Sequence, residues 1–122
     1  MNRQLLWARL TALGFAGDFL ASLKSLYTGD SIVCDVNGLQ TQPVFLQRGL
    51  RQGCALSPML FALYIADIGN DINASGFGFT VGRLTVSGLL FADDIVLLAR
   101  TGDGLKELLD LVYKGCKDLK WR

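Results

Sequence analysis

The 122-residue chain has no histidine and only three cysteines, Cys34, Cys54 and Cys116, which are odd in number and far apart. That scarcity argues against a disulfide framework and against a zinc site, and leaves reduced thiols in core or loop positions. No apolar run approaches the roughly 18 to 20 residues of a membrane helix, and Met1-Asn2-Arg3-Gln4 lacks the apolar region of a signal peptide. An intracellular protein, cytoplasmic or nuclear, with no membrane partner is therefore expected. Twelve basic residues against eleven acidic ones leave a formal charge of +1, so any affinity for nucleic acid must come from local patches. Repeats, low-complexity tracts and linkers are missing too, which predicts one domain over residues 1–122. What the chain has in plenty is apolar side chain. A content of 51% is high for a free-standing domain of this size, and it predicts self-association or surface that neighbouring segments cover.

Two carboxylates interrupt the most apolar part of the chain. Asp93-Asp94 lies between Val86-Ser87-Gly88-Leu89-Leu90-Phe91-Ala92 and Ile95-Val96-Leu97-Leu98-Ala99. Both flanks have strand length and strand composition, so the pair is expected in the turn of a β-hairpin beside a buried sheet. Two like charges held there repel each other unless a cation or free solvation offsets them. The plainer reading is an ordinary solvated turn, because Asp is favoured in turns.

A second segment, Arg48-Gly49-Leu50-Arg51-Gln52-Gly53-Cys54-Ala55-Leu56-Ser57-Pro58-Met59-Leu60-Phe61, joins a glycine-punctuated basic loop to a helix start. Ser57 reads as the N-cap and Pro58 as the first helical residue, and the helix runs through Leu60, Tyr64, Ile68 and Ile72 to a stop near Gly76. Gly53 lets backbone approach a ligand, while Arg48 and Arg51 bring positive charge beside it. Such a loop suits phosphate or a nucleotide base pair. It is equally a plain loop-to-helix junction with two solvated arginines.

Elsewhere the pattern predicts helices over 2–13 and 18–27, and a strand from Ser31 to Val36. The turn Asn37-Gly38 would connect that strand to a partner around Val44 to Gln47. Strands over 77–81 and 84–91 lead into the acidic turn, and a strand over 95–100 leaves it. Asp103 is expected to cap a last helix from Gly104 to about Leu119. Leu105, Leu108, Leu109 and Val112 form its apolar face, and Lys106, Lys114, Lys117 and Lys120 are solvated.

Arg51-Gln52-Gly53-Cys54-Ala55-Leu56-Ser57-Pro58 followed by Phe91-Ala92-Asp93-Asp94 closely resembles the reverse transcriptases of non-LTR, LINE-type retrotransposons. The first stretch looks like the family's motif B and the second like its motif C. Leu6-Trp7-Ala8-Arg9-Leu10 through Leu13-Gly14-Phe15 looks like the helix after its first catalytic strand, and Leu23 to Tyr27 with Val36-Asn37-Gly38 looks like its next helix and hairpin. The resemblance implies an α+β fold, a partial polymerase palm in which an antiparallel hairpin carries the Asp-Asp turn and packs against helices. It also implies an RNA-directed DNA polymerase whose complete form takes an RNA template, a DNA primer and dNTP. Two Mg²⁺ (or Mn²⁺) ions would sit about 3.5 to 4 Å apart.

Asp93 is then the expected direct metal ligand, with Asp94 in a weaker role. Phe91 and Ala92 would lie near the primer end, and Gln52, Gly53 and Arg51 near the templating pair and its phosphates. The family's third aspartate, from motif A, is expected upstream of the helix at 2–13, and fingers and thumb segments are not recognisable. An incomplete palm, inactive as an isolated chain, is the expectation. A non-catalytic remnant, or a binding module with a solvated acidic turn, is the alternative.

Overall fold

A computed structural model describes residues 1–120. They fall into two compact units, Met1–Arg51 and the stretch from Gln52 onward.

In the first unit, helix α1 (Arg3–Ala12) starts where Asn2 caps it, its Oδ1 accepting from the amides of Gln4 at 2.9 Å and Leu5 at 3.3 Å. An Asn at this position satisfies amides that have no partner inside the helix. Leu6 and Leu10, one helical turn apart, are fully buried, and helix α2 (Gly17–Ser25) contributes Leu20 and Leu23 to the same core. Both helices match the sequence reading to within about two residues.

The strands of this unit are shorter than expected. The predicted strand from Ser31 to Val36 is two pieces, β1 (Ser31–Ile32) and β2 (Asp35–Val36). The Asn37-Gly38 turn joins β2 to β3 (Leu39–Gln40), with Asn37 at φ 54° and Gly38 at φ 82°. This is the left-handed geometry that a two-residue hairpin needs and that Asn-Gly tolerates. The outer pairing does reach Val44, since β4 (Val44–Phe45) pairs with β1 through Ile32 and Val44. Every residue of these four strands is exposed.

The second unit is built on helix α3 (Ser57–Ala74). The cap expected at Ser57 falls one residue earlier, on Leu56, which makes no side-chain cap hydrogen bond. Ser57 is the first helical residue and Pro58 the second, a shift that costs little because proline is tolerated throughout the first turn. The helix ends as read, with Gly76 just beyond it at φ 75°.

The long strand expected over 84–91 breaks at Ser87, which is fully buried. Strand β5 (Phe79–Val81) pairs with β6 (Leu84–Val86), and β7 (Gly88–Phe91) pairs with β8 (Asp94–Leu97). The chain must leave one ladder to enter the next, and a continuous strand could not serve both partners.

Helix α4 (Gly102–Asp118) is capped by Thr101, whose hydroxyl accepts from the Gly104 amide at 3.1 Å, and not by Asp103, which lies in the first turn. Its buried side also differs from the expected one. Gly104 and Leu108 are buried and Leu111, Val112 and Cys116 pack on the core, whereas Leu109 is 54% exposed and Leu105 is exposed as well.

The core comprises Ile68, Ile72 and Leu108, with Leu90, Ile95 and Leu97 of the β7–β8 hairpin against it. Gly115 permits the close approach of α4 to α3, because a Cβ there would stand 2.6 Å from Ile68 Cγ1. The Tyr64 hydroxyl donates to the Leu119 carbonyl at 2.5 Å and ties down the end of α4. Lys106, Lys114 and Lys117 of α4 and Lys120 just beyond it are exposed, as read. Among the described residues no helix is long and apolar enough to cross a membrane.

Candidate functional site

The β7–β8 hairpin sets the geometry of the acidic pair. Phe91 and Asp94 are the last cross-strand partners, so the two-residue turn is Ala92-Asp93 and not Asp93-Asp94. Asp93 is at the tip, while Asp94 begins β8. Ala92 adopts φ 52°, a left-handed conformation that costs a residue with a Cβ about 1 to 2 kcal/mol. Strain of this kind persists where the surrounding structure holds it, often at functional positions.

Strand alternation separates the two faces of the hairpin. Leu90, Ile95 and Leu97 turn toward α3 and α4, and the paired positions Leu89 with Val96 and Phe91 with Asp94 share the open face. Phe91 is 82% exposed, so its ring is not part of the hairpin core. The expectation of acids beside a buried sheet also fails. Both carboxylates are exposed, and among the described residues neither makes a hydrogen bond or ion pair. One sheet face stays open because a lone two-stranded ribbon has helices on one side only.

Beside the turn runs a groove of about 530 Å³, to which Pro58, Ala62, Ala66 and Asn70 of α3 and Phe91 and Ala92 of the hairpin contribute. The start of α3 and the residues preceding the acids, two segments well apart in sequence, are thereby brought to one place. Small side chains on α3 keep the groove open, and Asn70 and Asn73 add amide groups to it. Neither asparagine was singled out from the sequence, where nothing distinguishes them from other solvated helix positions.

Gln52 and Gly53 are exposed, and among the described residues they do not line that groove. Gly53 has φ 80°, with nothing within 4 Å of where a Cβ would stand. Its glycine is thus required by backbone conformation, and the space in front of it is open.

Arg51 is engaged inside the first unit. Its Nε donates to Asp30 Oδ1 at 3.0 Å, and the Arg3 Nη2 donates to Asp30 Oδ2 at 2.7 Å. Arg3 further donates to the carbonyls of Gly49 (2.8 Å), Leu46 (2.7 Å) and Tyr27 (3.1 Å), and its guanidinium stacks 5.0 Å above the Tyr27 ring. One buried cation therefore ties together the end of the second helix, the exit of β4 and the basic loop. Arg51, expected near the phosphates of the templating pair or else solvated, instead pairs with Asp30, its own side chain 46% exposed against 7% for Asp30. Sequence reasoning passed over Arg3 and Asp30. The signal was the spacing Arg3, Leu6, Leu10, which puts the arginine on the buried stripe of α1.

The thiols are free, with Cys34 exposed and Cys54 and Cys116 half-buried. Burial pushes the Cys116 thiol above its usual range.

Residues 2–122 match the family model described as reverse transcriptase (RNA-dependent DNA polymerase). A retrovirus-related Pol polyprotein from the type-2 retrotransposable element R2DM of Drosophila melanogaster is 32% identical over 110 residues, covering 90% of this chain and 10% of that protein. Its counterpart from the type-1 retrotransposable element R2 of Nasonia vitripennis is 38% identical over 71 residues, 58% of this chain and 7% of that protein. The RNA-directed DNA polymerase from the mobile element jockey of Drosophila funebris is 28% identical over 105 residues, 81% of this chain and 11% of that protein. The chain thus spans about a tenth of the length of the curated relatives it matches.

Proposed function

The chain belongs to the reverse transcriptase (RNA-dependent DNA polymerase) family, with the LINE-type character read from its motifs, and we propose that it is the palm portion of such a polymerase, carrying part of a nucleotidyl-transfer site. The observation that carries this reading is the strained Ala92-Asp93 turn, which holds an exposed carboxylate beside a groove shared with the start of α3.

The donor chemistry fits a hard divalent cation, for which carboxylate oxygens are the natural ligands. Among the described residues no group of three or more potential ligands is assembled, so Asp93 and Asp94 are a partial set that a further carboxylate would complete. Asp93 at the tip is the direct ligand, and Asp94, on the open face across from Phe91, supports it. A bound Mg²⁺ or Mn²⁺ would supply charge neutralisation at the transferring phosphoryl group. The chain's own part is positional. Phe91 presents an exposed ring and Ala92 a small side chain toward the primer end, while Gln52 and Gly53 leave room for the nascent pair. Arg51 anchors the loop that leads into them. RNA template, DNA primer and dNTP are the partners of the whole polymerase, and this chain alone is inactive.

Primer extension on an RNA template tests this, with the segment joined to the remaining parts of a reverse transcriptase. Asp93→Asn should cost roughly a thousandfold or more in rate, since metal stabilisation contributes several kcal/mol, and Asp94→Asn should cost less. Full activity in Asp93→Asn would return the turn to the second reading, a solvated hairpin in a non-catalytic remnant, which the exposure of both acids favours. The open apolar strands, with Leu39 at 79% and Phe91 at 82% exposure, support self-association of the isolated chain. A monomer throughout sedimentation would count against that.

A further inference from the structure

The two arginines of the basic loop are not equivalent, and we infer that Arg48, with Gln47, Gln4 and Asn2, forms a contact site for a phosphate oxyanion, while Arg51 serves Asp30. The inference deepens the polymerase reading and rests on it.

Arg51 is drawn inward by the buried carboxylate of Asp30. Arg48 is exposed, and among the described residues its side chain makes no hydrogen bond or ion pair. Its backbone, by contrast, is held on both sides. An isolated antiparallel bridge links it to Asn2, the Gly49 amide donates to the Met1 carbonyl at 3.1 Å, and Arg3 grips the Gly49 carbonyl. A free guanidinium on a fixed backbone suits anion recognition, because the backbone is already ordered and only the side-chain rotamers remain to be fixed on binding.

The surroundings suit it as well. Arg48 lines a pocket of about 350 Å³ with Asn2, Gln4 and Gln47, so among the described residues every lining side chain is an amide or a guanidinium and none is a carboxylate. Among the described residues Gln4 and Gln47 make no side-chain hydrogen bond, which leaves amide donors for a second oxygen. Guanidinium binds phosphate through paired N–H donors, which lysine reproduces only as a point charge. The phosphate could belong to a nucleic-acid strand or to a free nucleoside triphosphate, since both present the same oxygens.

The test measures binding of this chain to a fluorescein-labelled RNA–DNA hybrid across a salt series, with metal-free dTTP as a competitor. Arg48→Gln should weaken hybrid binding about tenfold at low salt and reduce the slope of log K against log salt by about one, the share of a single phosphate contact. Arg48→Lys should recover most of the slope and less of the affinity. Arg51→Gln should leave the slope in place and lower the melting temperature, as loss of an Asp30 partner requires. If Arg48→Gln changes dTTP competition and spares direct hybrid binding, the site stands and its phosphate is that of the nucleotide. A slope lost in Arg51→Gln and kept in Arg48→Gln would overturn the assignment while leaving the polymerase reading intact. Failure of the unchanged chain to bind either probe would overturn the Arg48 site and leave the polymerase reading, which rests on the acidic turn, to the primer-extension test.

Discussion

The two units use aspartate in opposite ways. In the first, Asp30 is buried, accepts from two arginines, and helps to hold helix, strand and loop together. In the second, the carboxylates of Asp93 and Asp94 are exposed and make no hydrogen bond or ion pair among the described residues, while the surrounding stability comes from Ile68, Ile72 and Leu108. A carboxylate whose oxygens are already occupied contributes structure and is unavailable for chemistry. One held in water by a strained turn contributes little to stability and remains free for a ligand.

If that contrast is right, one chemical change should have unequal effects in the two units. Asp30→Asn leaves the buried Arg3 cation without its counter-charge and should destabilise the first unit by about 3 to 5 kcal/mol. Lost amide-exchange protection across 3–12 and 20–27 is the readout, and retained protection there would break the comparison. Leu108→Ala opens a cavity between α4 and α3 and should cost the second unit about 2 to 5 kcal/mol. Denaturant titration with exchange read at 60–72 checks it, and a loss below about 1 kcal/mol would show that apolar packing is not what holds this unit. The smallest effect is expected for Asp93→Asn, which should change stability by less than about 0.5 kcal/mol, as at other exposed positions. An unchanged melting temperature together with lost primer extension, once the segment is joined to the remaining parts of a reverse transcriptase, would sharpen the contrast. A large drop in melting temperature would show that Asp93 has a structural partner.

Legibility in the sequence followed the range of the signal. Asn2, Leu6 and Leu10 mark α1 within a few residues of one another, and Asn37-Gly38 forms its turn because the left-handed conformation is a property of those two residues. The hairpin around the acids was legible from its two apolar flanks. Its turn was displaced by one residue, since the register is decided by the pairing of Phe91 with Asp94 and not by the polarity of the dipeptide. The apolar face of α4 was read correctly at Leu108 and Val112 and wrongly at Leu105 and Leu109, for a similar reason. Leu105 and Leu109 satisfy a helical period as well as Leu108 and Leu111 do, and only the position of α3 and the hairpin selects between the stripes.

The sequence by itself determined the family, the order of the motifs, the four helices and the presence of two adjacent carboxylates between strands, because each depends on residues close together in the chain. Tertiary structure alone decided that Arg51 is bound to Asp30 while Arg48 has no side-chain partner among the described residues, that the strand divides at Ser87, and that Phe91 faces outward beside the groove. These outcomes depend on partners far away in sequence. Which of several chemically equivalent side chains wins a buried partner is settled by where the backbone places them, and no local pattern carries that information.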